Sequence, residues 1–308
     1  MRFRFESTCG ALWWCGGIKC FELMVEKANH RSVPEFEVHS LLKSPTVTIR
    51  DTKCQGSSRS MSPEEFTTKT QLIFPYRGVY VRHVGQDQTV AEANQVLFFN
   101  ANEGYRVSHP VVGGDGSLTL VIEESQLHEL APLDILHRNS ELAFRRRRLR
   151  IDARAQALVA LLRHSLHQKV AEPLEAEVLA LTLVRRALGP RSSHAPRATF
   201  GRQGLVDRAK LVLSSDLMRR WTLAEIAGEL RVSPVYLTQV FQQVEGLPLY
   251  QYQLRLRLAR ALDLLARRDD LTTLALDLGF SSHSHFSATF RRLYGYSPSA
   301  FRRSALRR

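Results

Sequence analysis

The sequence predicts an α+β chain: a strand-rich front half followed by an all-helical rear half. Three observations carry this. Between Val47 and Glu123, short apolar runs recur at roughly 8–12-residue spacing, broken by glycine, proline and asparagine turns. Further on, apolar residues recur every three or four positions instead. The last third of the chain contains one helical pattern twice.

Size and charge bound the problem. A chain of 308 residues exceeds what one hydrophobic core usually serves, so two domains are expected. With 44% hydrophobic and 24% charged residues it is neither disordered nor fibrous. No apolar run reaches the roughly 20 residues of a membrane span. The net charge of +13 is unevenly placed. Residues 1–125 carry 13 Lys/Arg against 14 Asp/Glu, residues 126–199 carry 13 against 7, and residues 200–308 carry 17 against 9. A neutral front that meets something small or uncharged and a basic rear that meets a polyanion fit this split.

The elements follow in order. Residues 1–37 read as an atypical extension. Arg2 and Arg4 precede only a short apolar patch, Cys9, Cys15 and Cys20 have no zinc-like spacing, and Met24 offers an alternative start testable by intact mass. Few cysteines elsewhere and no export pattern predict a reducing, cytoplasmic setting. Residues 38–125 are expected to form a small barrel or jelly roll, with strands at Val47–Ile49, Gln71–Phe74, Gly78–Val84, Gln95–Phe99, Tyr105–Val107 and Ser117–Ile122. Such a barrel holds one small ligand in its mouth. His83 and His109 are the histidines of this stretch, and without a second close His and a carboxylate they read as satisfied or surface residues. No metal, cofactor or catalytic residue is assigned.

Residues 126–190 are expected to be helical and to dimerise or pack on the barrel. One stripe is Leu158, Val159, Leu161, Leu162 and Leu166; a broader one runs from Leu174 to Leu188. The run Arg145–Arg148 reads as a solvated helix face or a phosphate contact, and His164 and His167 as surface residues. Residues 191–204, rich in Ser, Pro and Gly, read as a linker.

Residues 205–305 hold the repeat. Thr222 and Glu225 form a capping box opening a helix with Leu223, Ile226, Ala227 and Leu230 inward. Ser233-Pro234 starts the next helix, with Leu237, Val240, Phe241 and Val244 inward and Gly246 past its end. Two helices across a three-residue turn form either a plain helical hairpin or a helix-turn-helix whose second helix enters the major groove. The pattern then returns. Ala275 repeats Ala227 and Leu278 repeats Leu230 at an offset of 48; Phe286 repeats Leu237 and Phe290 repeats Phe241 at 49. Between the copies, Tyr250–Arg268 reads as a helix of about 28 Å, of the order needed to set two heads one turn of DNA apart with some bending.

Gly279-Phe280-Ser281-Ser282, Phe286, Phe290 and Tyr294-Gly295-Tyr296-Ser297-Pro298 through Phe301-Arg302 resemble the signature of the AraC/XylS family of bacterial transcription regulators. Ser233-Pro234, Tyr236-Leu237, Phe241 and Gly246 resemble that family's first helix-turn-helix. The resemblance implies a cupin-like effector-binding barrel and dimerisation segment in front and two DNA-reading heads behind. It implies a homodimer, double-stranded DNA and RNA polymerase as partners, an unknown small-molecule effector, and activation more often than repression. It places Val235, Thr238, Gln239 and Gln242 in the groove for the first head, and His283, Ser284, His285, Ser287 and Ala288 for the second. Gln239 suits adenine, Val235 a thymine methyl, and His283 or His285 guanine; His285 reads equally as a packed or solvent-facing side chain. Arg255, Arg257, Arg291 and Arg292 are the phosphate candidates. Ala227, Leu237, Phe241, Ala275, Gly279, Phe286 and Phe290 form the core of the two motifs. The family often has Arg or Lys near Gln239, Gln242 and Ala288, and a turn residue such as Gly where this chain has Arg231.

Two enzyme classes stand as alternatives. A methyl-accepting repair protein with a zinc-bound cysteine is suggested by the four cysteines and disfavoured by their spacing. A cupin-type oxygenase with a DNA-binding tail is disfavoured by the missing His pair. Zinc content together with methyl transfer tests the first, and metal content tests the second.

Overall fold

The computed structural model describes residues 36–56, 60–137, 142–189 and 200–306. The expectations for the cysteine-rich N-terminus and for most of the linker lie outside these residues.

The front half is built from antiparallel strands. They are β1 (Phe36–Lys43), β2 (Val47–Cys54), β3 (Gln71–Arg77), β4 (Tyr80–Val84), β5 (Asp87–Ala91), β6 (Gln95–Phe99), β7 (Arg106–Ser108), β8 (Asp115–Ile122) and β9 (Arg148–Arg150). A six-stranded sheet runs β1-β2-β8-β3-β6-β9 and a three-stranded sheet β5-β4-β7. Alternation builds the layers, because successive side chains point to opposite faces. Leu72, Phe74, Val96 and Phe98 enter a core shared with helices, while Ile73, Leu97 and Phe99 enter a second core with Tyr80 and Ala91 of the small sheet. The six-stranded sheet is thus buried on both faces, which is why β6 and β8 are buried throughout.

Helices α1 (Glu124–Leu130), α2 (Ala153–His167) and α3 (Pro173–Leu188) cover the first core. The expected helix from Ser140 begins only at Ala153. Residues 138–141 are not described, and Leu142, Phe144, Leu149 and Ile151 are buried while the arginines between them are not. That pattern matches an extended segment, and Arg148 pairs with Leu97 in the sheet. Arg145–Arg148 is therefore no helix face.

In the rear half follow α4 (Phe200–Ser215), α5 (Leu223–Leu230), α6 (Pro234–Glu245), α7 (Leu249–Leu264), α8 (Leu271–Asp277), α9 (His283–Tyr294) and α10 (Pro298–Leu306). Helix α4 starts inside the expected linker. Gly201 and Gly204 face open space, and their helical cost of about 1 kcal/mol each is offset by burial of Leu205, Val206, Ala209 and Leu213.

The two halves pack directly on each other. Helix α2 faces both: Ala155, Val159 and Leu162 join the sheet core, and Ala157 and Ala160 join the core of the second repeat. Polar contacts reinforce the joint. Gln156 Nε2 donates to Ala93 O (2.9 Å) while its Oε1 accepts from Tyr294 Oη (3.2 Å). Arg163 is ion-paired to Asp263 (2.5 Å) and stacks on Tyr76. His164, expected at the surface, is buried, with Nε2 2.9 Å from Leu262 O. Burial holds its pKa down at about 4, with the Arg163 charge adding to the effect. His167 pairs with the buried Asp51, which also accepts from Tyr76 Oη. On the other side, Arg148 of β9 meets Asp207 of α4 at 3.2 Å across the joint, and within the rear half the fully buried Lys210 of α4 meets Glu245 of α6 at 2.7 Å.

Candidate nucleic-acid interface

Both helix pairs start and stop as local chemistry dictates. Thr222 Oγ1 accepts from Glu225 N, and Glu225 Oε2 accepts from Thr222 N at 2.8 Å. Those hydrogen bonds, with Arg219 beside it, hold the Glu225 carboxyl at about 2. Ser233 and Ser282 cap α6 and α9 through Tyr236 N and His285 N. Gly246 and Gly295 end the same helices at positive φ. The turns match too: Val232 N donates to Ala227 O and Phe280 N to Ala275 O, both at 3.0 Å. The predicted duplication is therefore a structural one, with the extra residue in the second turn.

The predicted core residues gather as two clusters. Ala227, Leu237 and Phe241 pack with Ile226, Leu230 and Tyr252; Ala275, Phe286 and Phe290 pack with Leu278, Phe280 and Tyr294. Leu223, expected inward, is 37% exposed. Gly279 sits at φ +75°, and an added Cβ would lie 2.4 Å from Met218 O, so both backbone and space require glycine there.

The outward faces carry the expected reading residues. On α6, Val235, Gln239 and Gln242 are exposed, and Thr238 is half-buried with its hydroxyl donating to Pro234 O. Tyr236, part of the resemblance but not of its groove-facing set, is exposed on the same helix. On α9, His283, Ser284, His285 and Ala288 are exposed and Ser287 half-buried. His283 Nε2 is 3.2 Å from Ser287 Oγ and His285 Nδ1 is 3.1 Å from Ser281 Oγ, which orients both rings. Arg291 and Arg292 are exposed in the last turn of α9, and Arg255 is half-buried on α7.

Arg257 corrects the phosphate assignment. It is 6% exposed, and its guanidinium donates to Leu217 O, Met218 O, Arg219 O and Gly279 O at 2.7–3.2 Å. It ties the entry to the first pair to the turn of the second. The strut is also shorter than predicted: α7 has 16 residues, about 24 Å, because it ends at the Leu265 cap.

Sequence reasoning missed two further features. A cleft of about 570 Å³ lies between β5, β6 and the end of α6, lined by Arg145, Arg146, Arg147, Arg148 and Arg150 together with Glu245. The arginine run was its only signal. Cys54 meets His109 and Asp115, more than fifty residues further on, in a second cluster. His83 is separately engaged, its Nε2 2.8 Å from Ser108 Oγ.

Comparison with known proteins agrees with this geometry. A helix-turn-helix domain family matches residues 226–304. LumQ of Photobacterium leiognathi is 30% identical over 160 residues, covering 49% of this chain and 60% of the relative. An AraC-like transcription regulator of Streptomyces antibioticus is 31% identical over 153 residues, 48% of this chain and 50% of the relative. The transcriptional activator RhaR of Klebsiella pneumoniae is 31% identical over 157 residues, 49% and 54%. The chain thus spans half to three-fifths of the length of these relatives. Its rear half is a tandem helix-turn-helix domain. The family match and these relatives make the chain similar to AraC-type transcription regulators. Among the described residues, no helix is long and apolar enough to cross a membrane.

Proposed function

We propose that the chain binds double-stranded DNA sequence-specifically through α6 and α9 and regulates transcription, as an activator that contacts RNA polymerase. The observation that carries this is the pair of capped, rigidly cored helices whose outward sides are polar and exposed. Gln239 reads a base edge, with Val235, Thr238 and Gln242 around it; His283, Ser284, His285, Ser287 and Ala288 serve the second groove. Arg255, Arg291 and Arg292 hold the phosphate backbone, which positions without specifying. A strut of about 24 Å is shorter than the roughly 34–36 Å between successive major-groove faces, so one chain binds two turns by bending the duplex.

The front half senses a small molecule. The arginine-lined cleft supports an anionic one, since it touches Val244 and Glu245 at the end of the first reading helix. Helix α3 supports dimerisation, because Leu174 and Val178 are 73% and 56% exposed on one side of it. Selection of bound sequences followed by footprinting tests the reading. Gln239→Ala should cost roughly 1–3 kcal/mol and relax one base position, while Arg292→Ala should weaken all sequences alike and lower the salt slope by about 1. Equal losses on selected and scrambled sites from both variants would refute specific readout by α6.

A further inference from the structure

We propose that Cys54, His109 and Asp115 form a binding site for a divalent transition-metal cation of zinc's chemistry. The site itself stands apart from the DNA-binding reading; only its effect on DNA rests on that reading.

Topology makes the cluster. Cys54 is the last residue of β2 and Asp115 the first of β8, and the two are direct register partners. Partners in an antiparallel pair put their side chains on one face about 5 Å apart. His109 follows β7 and lies against them, its Nε2 2.9 Å from Asp115 Oδ2. One ligand atom from each residue lies within 4.8 Å of the other two. A tetrahedral site with bonds of about 2.0–2.3 Å needs ligand atoms roughly 3.3–3.8 Å apart, so small side-chain rotations close it.

The second observation is electrostatic. Asp115 is 6% exposed and Cys54 7%. Asp115 Oδ2 faces His109 Nε2 at 2.9 Å as an ion pair, so the cluster already holds a carboxylate against a cation. A bound dication takes over from the His109 imidazolium the compensation that this buried carboxylate requires. A thiolate, a carboxylate and a neutral imidazole together neutralise a dication. Sulfur, nitrogen and oxygen donors in one set suit zinc better than magnesium or calcium. Three protein ligands leave a fourth position for water or a small ligand. Binding requires the Cys54 thiol and the His109 imidazolium paired with Asp115 each to lose a proton to solvent as the metal–sulfur and metal–nitrogen bonds form.

The backbone is shaped around the cluster. Gly114, at φ +69°, lets the chain pass where a Cβ would be 2.4 Å from Cys54 O. Gly56 donates its N–H to Cys54 Sγ at 3.4 Å.

Position gives the site a readout. The segment after His109 leads to the rear half: Val111 packs near Leu211 of α4, and Gly113 and Gly114 line a cleft of about 260 Å³ with Leu217, Met218 and Arg260. Fixing His109 to the ends of β2 and β8 restrains that segment against the helix supporting the first repeat.

The test uses the full chain, freed of metal with a chelator and titrated with zinc or cobalt. A variant with Cys9, Cys15 and Cys20 replaced by serine reports on Cys54 alone. One equivalent of metal per chain and a thiolate-to-cobalt charge-transfer absorption are expected. His109→Gln and Asp115→Asn should each weaken binding about 10–100-fold, and Cys54→Ser should abolish the absorption. Circular dichroism and melting establish that each variant is folded; if Cys54→Ser is not, the cobalt spectrum of the Cys54-only chain and the other two variants decide. Absence of stoichiometric metal from that chain, or binding indifferent to His109→Gln and Asp115→Asn, would overturn the site. Footprinting with and without zinc then reads the coupling. A several-fold change in DNA affinity supports it, and no change overturns the coupling but not the site. Failure of both forms to bind DNA would count against the regulator reading and leave the metal site standing.

Discussion

The two helix-turn-helix repeats share caps, core positions and the hydrogen bond that closes the turn, yet they are held in different ways. In the first, the left-handed turn residue is Arg231, at φ +56° and exposed. In the second it is Gly279, pressed against Met218 O and the Arg257 guanidinium. The first repeat reaches the front half through the Arg148–Asp207 ion pair on α4, behind which Lys210 and Glu245 join α4 to α6; the second reaches it through α2 with His164, Gln156 and Arg163. The difference teaches that one motif can tolerate strain where its surroundings are open and requires glycine where a neighbouring element closes in.

The largest expected effect tests what the repeats share. Phe241 and Phe290 are both fully buried, so Phe241→Ala and Phe290→Ala should each cost roughly 3–5 kcal/mol in denaturant unfolding. A cost far smaller in one would show that its repeat repacks freely, and the equivalence would fail.

Gly279→Val comes next. Positive φ and a clash with backbone should together cost about 3 kcal/mol, and binding of the second half-site should weaken with it. Because Arg257 contacts Gly279 O and three carbonyls before α5, the damage should also reach the first repeat, visible as faster amide exchange at its entry.

Acid should separate the two attachments. The folded pKa of His164, about 4, lies below the 6.5 of a free imidazole, so the folded state takes up its proton later than the unfolded one. Its contribution, on the order of 3 kcal/mol, is complete above pH 6.5 and is lost as pH falls toward 4. Behind the first attachment, Lys210 and the neighbouring Arg148 and Arg150 of the front half hold the Glu245 carboxyl below its ordinary range despite burial, so the α4–α6 pair survives the same window. Hydrogen exchange at pH 5 should therefore show α9 losing protection before α6; the reverse order would break the assignment.

The smallest effect is a gain. Arg231→Gly relieves a left-handed arginine with no crowding neighbour to lose, and should raise stability by about 1 kcal/mol in the same unfolding assay. A loss would mean that the Arg231 side chain contributes more than its backbone costs.

Much of this was legible from residue order. Caps such as Thr222–Glu225 and Ser233-Pro234 act within one turn of helix, and the spacings of Ala227, Leu237 and Phe241 with their repeats mark buried faces directly. Strands β3, β6 and β8 announced themselves by short apolar runs. Strand β5 did not, because Asp87-Gln88-Thr89 looks like a turn until it pairs with β4. The reading of Arg145–Arg148 as a helix face failed because composition overrode the period-two spacing of Leu142, Phe144, Leu149 and Ile151.

The sequence by itself determined the tandem repeat, its core, the residues on its outward faces and the strand-rich character of the front half. These follow from interactions between residues a few positions apart. Tertiary structure alone decided that Arg257 turns inward to carbonyls, that α2 serves both halves, and that Cys54, His109 and Asp115 meet. Each depends on which strands pair and which helices pack, and therefore on contacts between segments whose separation along the chain carries no local signal.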